Sequence, residues 1–332
     1  MSKTFIFVPG FLGSELHLGG NSLGELNKFW VGIPTFFGGG YRVLDLEGQF
    51  PIPGNLPIVL GDTIEPVYGD FYAWLRQRCD RLVVVSWDWR RSLVDSVAAV
   101  GNVLREEMAT ADQVVILGHS AGGKLAGLAC EGLTPAQKVK LAYLVTIGTP
   151  WRGSWRAIEA LLGWAESVKI GAGLAATGQF SIPRLEQFKI QKVLSTFPGL
   201  YELFPNDALQ SQLSPPGAPN VWDPAAISNL FTPVNPAKLA AARTFANAHT
   251  APDPTLQHIN IVGVGSACPG PFTPADTFDD SNLNYSLDGD SVVPVQSARL
   301  VNPLRAITLE VVGEHGRLCS ASGTLACLAA LI

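Results

Sequence analysis

Gly118-His119-Ser120-Ala121-Gly122 places a serine between two glycines. An apolar stretch, Gln113 to Leu117, precedes it, and a helix-compatible one, Gly123 to Glu131, follows. A serine hydroxyl is a poor nucleophile until it is exposed, deprotonated by a base and faced with donors for a developing oxyanion. A sharp turn from strand to helix supplies the exposure, and flanking glycines let the backbone pass close to its neighbours. Ser120 is therefore the candidate nucleophile for attack on a carbonyl carbon.

That chemistry needs a base within hydrogen-bond reach and a carboxylate to orient it. On doubly wound sheets the three follow in the chain order serine, aspartate, histidine. Downstream of Ser120 the histidines are His249, His258 and His315. His315 lies in Gly313-Glu314-His315-Gly316, directly after the apolar run Ala306 to Val312, and so at the C-terminal edge of a strand, where open α/β sheets bind ligands. His258 opens a strand and His249 lies in a proline-rich stretch, which leaves His315 as the candidate base. Asp276, Asp279, Asp280, Asp288 and Asp290 all fall in the interval for the acid. Asp290, in Asp288-Gly289-Asp290-Ser291-Val292-Val293-Pro294, is the better candidate and Asp288 the alternative. A calcium loop would need more oxygen ligands than this pair supplies, so no metal site is expected. The oxyanion needs two backbone N–H donors. Ala121, after the nucleophile, provides one, and Phe11 in the turn Val8-Pro9-Gly10-Phe11-Leu12-Gly13-Ser14 the other.

The elements that must carry these residues are legible as short apolar runs at Phe5 to Val8, Leu82 to Val85, Val114 to Leu117, Leu141 to Ile147, Ile259 to Val264 and Ile307 to Val312. Their β-branched character and the helical patterns between them, at Leu93 to Met108 and Ala121 to Cys130, predict an α/β fold, a mostly parallel sheet with helices on both faces. Two segments break the alternation. Residues 19–69 are rich in glycine and proline and carry Trp30, Phe36 and Phe37. The stretch 151–254 separates two core strands far beyond the usual 2 to 6 residues of a connection. The expected organisation is a core of 1–150 and 255–332, with a lid-like insertion near 19–69 and a cap at 151–254. The cap opens helically at Ala157 to Lys169 and continues as short helices and loops.

Composition bounds the partners. The 332 residues are 47% apolar and only 15% charged, with a net charge of −5, which suits a chain that presents apolar surface to a substrate or lipid. No basic run offers a footprint for nucleic acid. No stretch reaches the ~20 apolar residues of a membrane span. The N-terminus has too short an apolar run for a signal peptide. Cys79, Cys130, Cys268, Cys319 and Cys327 are scattered and without metal-ligand spacing, which predicts free thiols. A cytoplasmic protein is the expectation, with transient contact to a membrane surface compatible with its composition and no obligate protein partner in evidence.

With these residues assembled, the chain resembles the lecithin:cholesterol acyltransferase-like branch of the α/β-hydrolases. The blocks that carry the likeness are Val8 to Ser14, Trp87-Asp88-Trp89-Arg90, Gly118 to Gly123, Gly148-Thr149-Pro150-Trp151-Arg152-Gly153-Ser154, Tyr201-Glu202-Leu203-Phe204-Pro205-Asn206 and Asp288 to Pro294. The resemblance implies an α/β-hydrolase fold with Ser120, Asp290 and His315 as triad and Phe11 and Ala121 as oxyanion donors. It also implies an aromatic residue beside the acyl chain, a place for Trp151 or Trp30, though core packing is the ordinary role of either. Asp88 and Arg90 match a family motif, and a structural pairing is expected of them. The chain departs from the family in having no cysteine before Cys79 for a lid disulfide, and in Ser291-Val292 where Gly-Thr is commoner.

The expected activity is cofactor-free hydrolysis of an apolar acyl ester through an acyl-enzyme. The rivals are acyl transfer to an alcohol, thioesterase or amidase chemistry on the same residues, and a non-catalytic lipid-binding module. Phe36 and Phe37, beside Gly38-Gly39-Gly40, read as a mobile cover over the acyl pocket.

Overall fold

The computed structural model describes residues 2–18, 40–48, 58–161, 184–226, 234–272, 284–300 and 305–332. Within these lie strands β1 (Lys3–Val8), β2 (Ser14–Leu18), β3 (Ile58–Thr63), β4 (Arg81–Val84), β5 (Gln113–His119), β6 (Leu141–Ile147), β7 (His258–Val264), β8 (Ser266–Cys268), β9 (Leu287–Gly289) and β10 (Ala306–Val312). Six form one parallel sheet in the order β10-β7-β6-β5-β1-β4. Each apolar run read from the sequence is one of these six strands.

The α-helices among the described residues are α1 (Glu65–Arg76), α2 (Leu93–Thr110), α3 (Ala121–Glu131), α4 (Pro135–Lys140), α5 (Trp155–Leu161), α6 (Arg184–Leu194), α7 (Pro198–Tyr201), α8 (Asp207–Leu213), α9 (Pro236–Ala248), α10 (Val295–Ala298) and α11 (Ser322–Leu331). Successive side chains of a strand point to opposite faces, and the core divides accordingly. Phe5, Phe7, Val115, Leu117, Val145 and Ile147 share a buried cluster with Phe71 and Leu75 of α1 and Leu328 of α11. Ile6, Val8, Val114, Ile116 and Leu144 share another with Val100 and Leu104 of α2 and Leu125 of α3. Burial on both faces is why these strands read as continuous apolar runs rather than alternating ones.

The segment read as an insertion at 19–69 needs correction at its end. Ser14–Leu18 and Ile58–Thr63 pair as an antiparallel ribbon, and Glu65 already begins α1, with proline in its first turn where a missing N–H costs nothing. Trp30, Phe36 and Phe37 lie outside the described residues. The helix read at Ala157 starts two residues earlier, at Trp155, and is described to Leu161. All five cysteines are free. Among the described residues no helix is long and apolar enough to cross a membrane.

Candidate active site

Ser120 stands between the end of β5 and the first residue of α3, with φ +55° and ψ −128°. A non-glycine residue held there costs roughly 1–3 kcal/mol and persists only where its surroundings over-determine it. They do so here: the Ser120 N–H donates to the Ile147 carbonyl and the Gly123 N–H to the Ser120 carbonyl, each at 2.9 Å. A Cβ on Gly122 would stand 2.3 Å from the carbonyl oxygens of both Val8 and Pro9. Gly122, two residues past the serine, is thus what lets the elbow press against the turn that follows β1.

Asp290 and His315 are brought together from different loops. The carboxylate is fully buried, and Oδ2 lies 2.7 Å from His315 Nδ1. The other oxygen, Oδ1, accepts the N–H groups of Val292 and Val293 at 3.1 and 2.7 Å. The His315 N–H donates to the Asp290 carbonyl at 2.7 Å. Gly148, at φ +56°, makes room for the pair, since a Cβ there would lie 2.9 Å from Asp290 Oδ2. Asp288 faces elsewhere, its Oδ1 accepting the Gly265 N–H at 2.9 Å.

The turn after β1 is braced by the tryptophans of the Trp87 to Arg90 block. Trp87 Nε1 donates to the Pro9 carbonyl at 2.8 Å and Trp89 Nε1 to the Ser14 carbonyl at 3.0 Å, while the Trp89 ring meets Phe11 edge-on with centroids 5.3 Å apart. Arg90 grips Asp88 with Nε and Nη2 at 2.9 and 2.7 Å, a structural pair. Ala121 opens α3, where the first N–H groups of a helix have no intrahelical acceptor. Phe11, Ser120 and His315 line one cavity of about 160 Å³, otherwise walled mostly by apolar side chains such as Leu12, Ile64, Leu200 and Val293.

Trp151 is corrected by its placement. It is 2% exposed, packs over Gly127 and meets His258 edge-on at 6.0 Å, so it sits in the core beneath α3 rather than beside a substrate. His258 is itself a core residue, bonded to Thr146 Oγ1 at 2.7 Å, and burial lowers its pKa to about 3.

Sequence reasoning missed the residues that hold the acid's loop. The Ser154 hydroxyl donates to the Val292 carbonyl, and Arg156 Nη2 donates to the Ser291 carbonyl at 2.7 Å. Arg156 Nη1 in turn pairs with the buried Glu159 at 2.6 Å. Ser154 sits in a block that carried the resemblance. Arg156 and Glu159, three apart on a helix, look in sequence like an ordinary surface pair, and only their burial marks them out. Tyr68 was also unforeseen: its hydroxyl lies 2.9 Å from Nδ1 of His119, beside the nucleophile.

A six-stranded parallel sheet, a strained serine elbow after a central strand and a histidine bonded to a buried aspartate define an α/β-hydrolase. The model of the lecithin:cholesterol acyltransferase family matches residues 76–258, more than half of the chain. The chain belongs to that family, whose chemistry is that of lipid acyl esters. No curated protein matches it. Among solved structures, the chain is similar to the Tle4–Tli4 complex at 12% identity and TM-score 0.54, covering 99% of this chain and 97% of that one. It is also similar to the mature lipase BlEst2 of Bacillus licheniformis at 15% identity and TM-score 0.48, covering 98% and 90%.

Proposed function

We propose that the chain is a serine acyl-ester hydrolase working through an acyl-enzyme, and the observation that carries this reading is His315, bonded to the buried Asp290, lining one apolar cavity with Ser120. With Nδ1–H directed at Asp290, the other ring nitrogen of His315 takes the serine proton, and Ser120 Oγ attacks the ester carbonyl. The N–H groups of Phe11 and Ala121 receive the oxyanion. The bond to the leaving alcohol then breaks as His315 returns the proton to it. Water, activated by the same imidazole, releases the acid and restores the enzyme.

The substrate class is an apolar acyl ester of lipid type, in keeping with the family. Residues 151–254 act as a cap in this reading, since Ser154, Arg156, Ala157, Ala160, Leu200 and Leu203 contribute to the cavity wall. The apolar wall also favours a second reading, transfer of the acyl group to an alcohol, because a dry site disadvantages water as the attacking group. Acyl esters and phospholipids of graded chain length, assayed with and without an alcohol acceptor and with all products identified, separate the two. Free acid in both conditions supports hydrolysis. New ester that grows with the acceptor supports transfer, and no turnover of any substrate rejects both.

A further inference from the structure

The two halves of the proposed machinery lie far apart in the sheet. The oxyanion turn follows β1, next to β5, whereas His315 follows β10, three strands from β5, or about 14 Å at the usual strand spacing. Pairing of strands alone therefore does not fix the base relative to the oxyanion donors. One chain of hydrogen bonds spans the gap. The Gly10 N–H donates to the Tyr68 hydroxyl at 3.0 Å, that hydroxyl lies 2.9 Å from His119 Nδ1, and His119 Nε2 lies 3.0 Å from the His315 carbonyl oxygen.

The direction of each bond follows from the chemistry of the ends. A carbonyl only accepts, so His119 Nε2 carries the proton. Burial holds the His119 pKa well below its ordinary value and that of Tyr68 well above, so the ring is neutral and the hydroxyl keeps its proton. A neutral ring protonated at Nε2 accepts at Nδ1, and the Tyr68 O–H must donate there. Its oxygen is then left to accept the Gly10 N–H. Every group has one role and no alternative arrangement satisfies all four.

We infer that Tyr68 and His119 are positioning residues that tie the oxyanion turn to the loop of the base, so that Phe11 N–H, Ser120 and His315 are held in register as one unit. Gly10 precedes the donor Phe11, and His119 precedes the nucleophile, so the chain meets each of the three parts within one residue. A misplacement of about 1 Å can cost on the order of 100-fold in rate. Tyr68 and His119 also line the cavity, but the bonds they make within the relay bear on the chemical step, so their loss is read in kcat.

The inference rests on the functional reading above, and the test separates the two. Tyr68→Phe keeps the ring and removes the hydroxyl. Tyr72→Phe is the control, because Tyr72 stacks on Tyr68 at 5.9 Å and its buried hydroxyl pairs with Thr63 Oγ1 at 2.6 Å, outside the relay. The wild-type chain and both variants are assayed for rate of labelling at Ser120 by a fluorophosphonate, for kcat and KM on a short acyl ester, and for melting temperature. The expected result is labelling and kcat within twofold of wild type for Tyr72→Phe and lowered at least tenfold for Tyr68→Phe, with KM unchanged and similar melting temperatures. Equal rates in the two variants, or a loss in Tyr68→Phe carried by KM, would overturn the inference. A wild-type chain that takes no label at Ser120 instead overturns the functional reading. Should Tyr68→Phe not fold, His119→Gln and His119→Leu decide: an amide can accept from Tyr68 and donate to the carbonyl, so the glutamine variant is expected at least tenfold faster, and equal rates overturn the relay.

Discussion

Asp290 and His315 are joined twice, by the carboxylate Oδ2 to the ring Nδ1 and by the Asp290 carbonyl to the His315 N–H, both at 2.7 Å. The side-chain bond selects the tautomer of the imidazole, and the backbone bond holds the loop whether or not the side-chain bond forms.

The two functions of this pair can therefore be separated. In Asp290→Asn, Oδ1 still accepts from Val292 and Val293 and the backbone bond remains, but the amide presents a donor to Nδ1 and reverses the tautomer. Activity on an acyl ester is expected to fall on the order of 10⁴-fold with the fold retained. Asp288→Asn, whose carboxylate accepts the Gly265 N–H, should stay within a few fold of wild type. Steady-state kinetics on variants matched by circular dichroism and melting temperature provide the check, and the reverse ranking would move the acid to Asp288.

The residue next to this acid carries strain. Ser291 adopts φ +77°, a region that costs an L-residue roughly 1–2 kcal/mol and glycine almost nothing. Ser291→Gly should stabilise the chain by about 0.5–1 kcal/mol, the unfolded-state entropy of glycine offsetting part of the gain. A raised melting temperature with activity retained is the expected outcome of calorimetry and assay. A lowered one would mean the serine side chain contributes contacts that outweigh the strain.

How much of this was readable in the sequence depended on the range of the interaction involved. The inner strands β1, β5, β6 and β7 were legible because two-sided burial makes them largely apolar, and the more exposed edge strands β4 and β10 because of their β-branched residues, whereas β2 mixes Glu15 and His17 with apolar residues and pairs with a strand forty residues away. Ser120, Asp290 and His315 each stand in a local motif, a glycine-flanked elbow or a loop at a strand end. Tyr68 and Arg156 act on partners 51 and 135 residues distant, and no spacing within their own helices announces it. Trp151 lay in a motif that invites a substrate role, and its place was decided by the bare Gly127 face of α3 it covers.

Lys124, one turn after the nucleophile, is 1% exposed, and its Nζ has no hydrogen-bond partner among the described residues, lying 5.4 Å from the Phe245 ring centre. Burial lowers its pKa to about 8 from the ordinary 10.5, with Glu202 opposing the shift. The unfolded chain thus binds the extra proton between these values, so this group's contribution to stability rises as pH increases from about 8 toward 10.5. Below pH 8 the buried ammonium destabilises the fold. Lys124→Met should raise stability at pH 7 by on the order of 2 kcal/mol, and the advantage should shrink toward pH 10. Urea melts of both chains across that range supply the measurement. An advantage that grows with pH, or a destabilised variant at pH 7, would show that the ammonium is paired.

The claim that Ser120 carries the acyl group is tested most directly by trapping it. A p-nitrophenyl acyl ester is mixed with the enzyme, quenched in acid during the first turnover and mapped by peptide mass spectrometry, alongside turnover of Ser120→Ala. One acyl group on the peptide containing Ser120, none on the alanine variant, and a rate lowered about 10⁴- to 10⁶-fold in the folded variant are the predicted results. An acyl group on another residue, or a folded Ser120→Ala chain that keeps more than a few per cent of the activity, would contradict the account.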